Sequence, residues 1–194
     1  MRRISDLEQK IRDYVNNAKL PDWYLEKRPE DEWMALCVSM NTLGDTCEAL
    51  EYYEKNGLGN DYSEKYLKLY GLLQAIFLQQ NSISQIYQIF LEKKLITNSN
   101  SPWKKIRELR HLTVGHPEEK KHNNETKRCF IVRVTIQNNG FDLLIWNKKT
   151  GKKKSEKIDF KSLYDDYKED AIKYLDNICK AQIATWGALR QIEP

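Results

Sequence analysis

Apolar positions in this chain keep helical spacing for about a hundred residues, switch once to strict alternation, and then return to helical spacing. Leu7, Ile11, Tyr14 and Val15 fall on one face of a helix predicted over residues 5–19, with Ser5 or Asp6 as its cap. Residues 19–29, punctuated by Pro21 and Pro29, read as a loop. A second helix is expected from Pro29 to Lys55, carrying Trp33, Met34, Cys37, Val38, Leu43, Cys47, Leu50 and Tyr53, and it stops at Asn56-Gly57-Leu58-Gly59. The third is the longest. Asp61-Tyr62-Ser63-Glu64 supplies a capping start, and the apolar stripe runs from Tyr66 through Tyr70, Leu73, Ile76 and Phe77 to Leu91. Pro102 opens a fourth helix holding Ile106, Leu109 and Leu112, which Gly115-His116-Pro117 must end, because proline disfavours a helical residue before it.

The period then changes. Residues 118–127 are charged and free of apolar side chains, which reads as a loop with His122 in solvent. Phe130, Val132, Val134 and Ile136 alternate as a strand, Asn138-Asn139-Gly140 signals a hairpin, and Phe141, Leu143 and Ile145 return. A turn at Lys149-Thr150-Gly151 leads to a short strand ending near Ile158. A last helix is predicted over 159–190, with Leu163, Tyr167, Ile172, Leu175, Ile178, Cys179, Ile183 and Trp186 on its buried side. The expected fold is therefore mainly α: one domain over residues 1–194, an antiparallel helical bundle, with a two- to three-stranded antiparallel β-meander inserted at 128–158. The apolar and aromatic face of so long a third helix exceeds what one bundle of this size buries, which points to a two-fold homodimer.

Composition narrows the class. A chain of 194 residues with 40% hydrophobic content, five Trp and eleven Tyr has enough apolar mass for a real core. No apolar run approaches a membrane span, and Met1-Arg2-Arg3-Ile4-Ser5-Asp6 begins an amphipathic pattern instead of a signal core, so no membrane partner and a cytoplasmic location are expected. Cys37, Cys47, Cys129 and Cys179 are scattered through apolar pattern positions with no CxxC pair, which reads as small buried hydrophobes and leaves no metal or other cofactor implied. The net charge of +4 hides an asymmetry: residues 1–100 carry 12 Lys+Arg against 15 Asp+Glu, residues 101–157 carry 15 against 6, and residues 158–194 carry 5 against 7. A basic excess confined to one segment is an electrostatic footprint for a polyanion; equally, lysines at hairpin tips solubilise a sheet edge.

That basic segment holds the run Trp103-Lys-Lys-Ile-Arg-Glu-Leu-Arg-His-Leu-Thr-Val-Gly-His-Pro117, with two of the three histidines. Helical spacing puts Arg107, Arg110 and His111 together, and the exit turn brings His116 back towards them. Histidine moves protons near neutral pH, and arginine is the best fixed donor to a phosphate oxygen. RNA supplies its own nucleophile, the 2′-hydroxyl, so cleavage needs a base, an acid and positive charge on the phosphate, but no metal. In this reading His116 transfers the proton, Arg110 stabilises the charged phosphorane, His111 assists or orients, and Lys104, Lys105 and Arg107 hold the RNA. The products are a 2′,3′-cyclic phosphate and a 5′-hydroxyl.

The same run resembles the signature of the HEPN (higher eukaryotes and prokaryotes nucleotide-binding) superfamily: an arginine (Arg110), a polar neighbour (His111, where many members carry asparagine or aspartate) and a histidine a few residues later (His116). The resemblance implies a metal-independent ribonuclease, of toxin or phage-defence type, acting as a dimer that brings two motifs together, with an antitoxin as a further partner. Two other classes stand beside it: a non-catalytic helical module that binds nucleic acid or protein through its basic hairpin, and an accessory protein that grips a nucleotide phosphate without cutting. The sequence holds no phosphate loop of Walker or dinucleotide type and no GxSxG elbow.

Overall fold

The computed structural model describes residues 1–17, 28–115, 117, 120–122 and 125–186, of which 17, 120–122, 125 and 186 are described by their backbone alone. The described chain is mainly helical with an inserted antiparallel meander. The helices are α1 (Arg2–Asn17), α2 (Glu30–Asn56), α3 (Tyr62–Leu91), α4 (Pro102–Arg110) and α5 (Phe160–Trp186). Between α4 and α5 lie a π-helical turn (His111–Gly115) and a sheet of β1 (Lys120–His122), β2 (Glu125–Ile131), β3 (Gly140–Asn147) and β4 (Lys153–Asp159), ordered β1-β2-β3-β4.

Two compact units emerge. The first gathers Met1–Glu51, Leu78–Ile96 and Lys168–Pro194. Its core interleaves Ile4, Ile11 and Val15 with Leu36, Leu43 and Leu50, Ile83 and Ile86, and Leu175 and Ile178, all almost wholly buried. Several polar groups in it are paired: Arg12 donates to Glu8 Oε1 (2.8 Å) and to the Met40 carbonyl (2.8 Å), and buried Gln182 Nε2 reaches the Ile11 carbonyl (3.4 Å).

The second unit gathers Tyr52–Phe77 and Thr97–Tyr167 and contains the whole sheet. Its helix starts follow local chemistry. Asp61 Oδ1 caps the helix by accepting from the backbone N–H groups of Ser63 (2.8 Å) and Glu64 (3.0 Å), while Glu64 Oε2 accepts from Asn60 N (3.1 Å), the residue before the cap. Those bonds hold the Asp61 carboxyl below its ordinary range. Ser101 caps α4 by accepting from Lys104 N at 3.3 Å, and Pro102 fills its first turn.

The Asn138-Asn139 turn joins β2 to β3 through the paired residues Gln137 and Gly140. Gly140 is required there by space, because a Cβ would sit 2.0 Å from the Ile158 carbonyl oxygen on β4. Asn147 organises the next turn by accepting from Lys149 N and Thr150 N, and Gly151 takes the left-handed conformation (φ 66°).

Three expectations change. The strand predicted through Phe130–Ile136 ends at Ile131, and Arg133–Thr135 forms a 3-10 turn. Its inward parity is also reversed: Cys129 and Ile131 are buried, whereas Phe130 is 56% exposed and Val134 64%. Alternation alone does not say which of two apolar sets faces the core when both rows carry large side chains. Residues 120–122, expected in a loop, pair with 125–127 as an edge hairpin, since main-chain bonding needs no apolar side chain. No disulfide joins the four cysteines; Cys47 and Cys129 are buried, and Cys37 and Cys179 only half so.

Candidate functional site

The end of α4 places three of the predicted site residues against α3, all within the second unit. Trp103, Ile106 and Leu109 anchor the buried side of α4, and Trp103 packs its ring 5.5 Å from that of Tyr167. The adjoining flank of α4 turns Arg107 and Arg110, with His111 just beyond, towards Phe77. Each guanidinium carbon lies 4.3 Å from the Phe77 ring centroid, and the His111 ring meets Phe77 edge-on at 5.5 Å. The electron-rich ring face attracts both cations and fixes their planes.

Arg110 is fixed by more than stacking. Its Nε and Nη2 both donate to Gln74 Oε1, at 3.1 and 2.8 Å, and its Nη1 lies 3.5 Å from His111 Nδ1. A guanidinium only donates, so that last contact suits a neutral imidazole with its proton on Nε2. Among the described residues no carboxylate pairs with Arg110, and its charge is held by a neutral amide. Burial and the neighbouring Arg110 push the Arg107 guanidinium below its ordinary pKa. Two cations thus share one ring, and the Arg110 charge, held by an amide, is the one that an anion can meet.

Here the helix widens. Residues 111–115 form a π-turn, a feature that recurs at functional sites, and Thr113 Oγ1 donates to the Leu109 carbonyl at 2.8 Å inside it. Gly115 is needed for room: a Cβ would lie 2.7 Å from Arg110 Nη1. Lys104 and Lys105 stand exposed on α4; Lys104 lies about one turn before Arg107, and Lys105, two residues before it, points to another side of the helix. His116, the proton-transfer candidate, lies outside the described residues. The side chain of His122 does as well.

Sequence reasoning placed Phe77 in the core stripe of α3 and passed over Gln74. The available signal was an amide on the apolar side of α3, between Leu73 and Phe77, in a stripe otherwise built of Tyr, Leu, Ile and Phe. Among the described residues no group of His, Cys, Asp and Glu gathers with metal-ligand geometry. No described helix is long and apolar enough to cross a membrane. Compared with known proteins, the chain matches no family model, no curated protein and no solved structure.

Proposed function

We propose that this protein is a metal-independent endoribonuclease of HEPN type, a toxin or phage-defence effector acting on RNA in the cytoplasm. The observation that carries the reading is the Arg110 guanidinium. It is oriented by Gln74, Phe77 and His111, and its charge is neutralised by no described carboxylate. Oriented donors beside developing charge are what a phosphoryl transition state requires. In the proposed chemistry Arg110 and Arg107 grip the scissile phosphate and the Nε2–H of a neutral His111 donates to a phosphate oxygen. His116 exchanges the proton between the 2′-hydroxyl and the leaving 5′-oxygen. Lys104 and Lys105 extend the contact along the strand. A second copy of the chain supplies the other motif across a homodimer seam, and an antitoxin protein would cover the site.

The deciding experiment incubates purified protein with end-labelled RNA in EDTA, beside the His116→Ala variant. Cleavage to 2′,3′-cyclic phosphate ends by the wild type alone supports the proposal. Equal cleavage by both proteins, or none by either, removes it. The binding-module reading predicts no cleavage, with affinity lost mainly on substitution of the hairpin lysines.

A further inference from the structure

A second basic site lies on the other side of the π-turn. One face of the sheet presents Arg128 opposite Trp146 and Phe130 opposite Leu144, and β4 adds Lys153 directly across from Trp146. The other face carries Cys129, Ile131 and Leu143 into the core. A cleft of about 580 Å³ borders the outward face; Tyr66 and Tyr70 of α3 line it too, and it reaches Cys129 and Ile131 at the strand itself. Thr113 and Pro117, from the turn that begins at His111, also line it. Every residue named belongs to the second unit.

The composition of this cleft is unusual for a structural surface. Phe130, next to the last residue of β2, is 56% exposed, with a half-buried Trp146 and two tyrosines nearby. The Tyr66 and Tyr70 rings lie 4.6 Å apart with their hydroxyls hydrogen-bonded at 2.7 Å. Cations alternate with these rings: the Arg128 guanidinium stands 5.0 Å over Trp146, and that of Arg133 5.1 Å over Tyr66. Sheet-borne aromatics interleaved with arginine and lysine are the physical recipe for holding unpaired bases. Every base has a face to stack, and the backbone phosphates need positive charge alongside. A volume of this size falls in the roughly 300–1,000 Å³ range of small-ligand pockets, enough for a base and its sugar.

We propose that this cleft is a stacking subsite for unpaired bases of a single-stranded polynucleotide, with Phe130, Trp146 and the Tyr66–Tyr70 pair as the platform and Arg128, Arg133 and Lys153 on its phosphates. The subsite rests on the reading of the protein as one that acts on RNA and names the state of that RNA. The strand is single, and it passes from the aromatic cleft across the π-turn to Arg110. Duplex RNA hides its base faces and does not fit.

The test measures binding by fluorescence anisotropy with a labelled ten-nucleotide uridine oligomer on the His116→Ala protein in EDTA, so that cleavage does not consume the probe. Phe130→Ala and Trp146→Ala should each weaken binding by roughly five- to 150-fold, the effect of losing one stacked base. Trp146→Phe should recover most of the loss, and the far-UV spectrum and Tm establish that each variant is folded. Arg128→Gln and Lys153→Gln should each reduce the slope of log affinity against log salt by about 0.7. A deoxy oligomer bound as well assigns the site to base faces alone, and binding of the ribo-oligomer only adds a 2′-hydroxyl contact; either outcome supports the subsite. A duplex bound as tightly as the single strand, polyglutamate competing as well as RNA, or unchanged affinity in folded Phe130→Ala overturns it. Cleavage is a separate readout. Weakened binding with no cleavage by wild type keeps the subsite and removes the nuclease, whereas cleavage with normal binding by the aromatic variants does the reverse.

Discussion

A single side-chain oxygen, Gln74 Oε1, accepts both Nε and Nη2 of Arg110. A carboxylate at this position would give a stronger bond and cancel the charge; the amide orients the guanidinium and leaves its charge available to a ligand. Gln74→Glu is therefore expected to be more harmful to RNA binding than Gln74→Ala, although it makes the better structural contact. The proposal expects Gln74→Glu to lose at least tenfold in affinity and to reduce the salt slope by about 0.7, one phosphate contact. Titration of a labelled RNA at three salt concentrations distinguishes the two variants.

Gly115 makes a second, independent probe of the same guanidinium. An added Cβ would lie 2.7 Å from Arg110 Nη1 and 3.5 Å from His111 Nδ1. The crowded atom is the tip of a flexible side chain, so Gly115→Ala should move Arg110 off Gln74 with little change in Tm. RNA cleavage should fall by about 10²-fold, the usual consequence of misplacing a reacting group by an ångström. Arg110→Lys should fall at least as far, because a point charge does not replace the planar fork. Unchanged cleavage in Gly115→Ala would detach Arg110 from the chemistry.

Much of this arrangement was readable in the residues, and what was not has physical causes. The capping start at Asp61, the glycine stop after Asn56, and the Asn138-Asn139-Gly140 turn are local signals, decided by neighbours in sequence, and each appears where expected. The grouping of Arg107, Arg110 and His111 likewise follows from helical geometry. The partners of that group, Gln74 and Phe77, lie some thirty residues away on another helix, and periodicity carries no information about which helix faces which. The outward turn of Phe130 failed for a related reason. Both rows of β2 carry a large apolar residue, and the choice between Phe130 and Ile131 depends on what the sheet packs against.

Asn138 ties the hairpin turn to the end of α2. Its Oδ1 accepts from Leu58 N at 2.9 Å, its carbonyl accepts from the Tyr53 hydroxyl at 3.2 Å, and the Leu58 side chain is wholly buried. Asn138→Ala leaves the Leu58 N–H without this acceptor and should cost about 1–3 kcal/mol. Gly57 precedes it at φ 64°, where a Cβ would also sit 2.8 Å from Asn138 Oδ1. Gly57→Ala should cost about 1–2 kcal/mol from the backbone conformation alone, before the clash with Asn138 is counted. Urea denaturation followed by circular dichroism measures both losses.

Alkali should destabilise this protein from about pH 9 upwards. Burial raises the Cys47 thiol from 9.0 to about 12, with Glu8 and Glu51 adding to the shift. Tyr70 rises from 10.0 to about 12, first through burial and then through its bond to Tyr66. Tyr53 and Tyr164 are raised as well, chiefly by burial. The folded state thus keeps protons that the unfolded chain has lost. Stability is at its full value below about pH 9, declines as each unfolded group ionises, and is exhausted for Cys47 and Tyr70 near pH 12. Tm measured at unit steps from pH 8 to 11 should fall progressively from pH 9, and Cys47→Ala should flatten part of that fall while lowering Tm at pH 8. The same burial protects the thiol: at pH 8 an alkylating reagent should modify the half-buried Cys37 and Cys179 well before Cys47, which is 4% exposed. Peptide mapping after timed alkylation reads the order, and early loss of Cys47 would show that this part of the first unit opens far more readily than its packing implies.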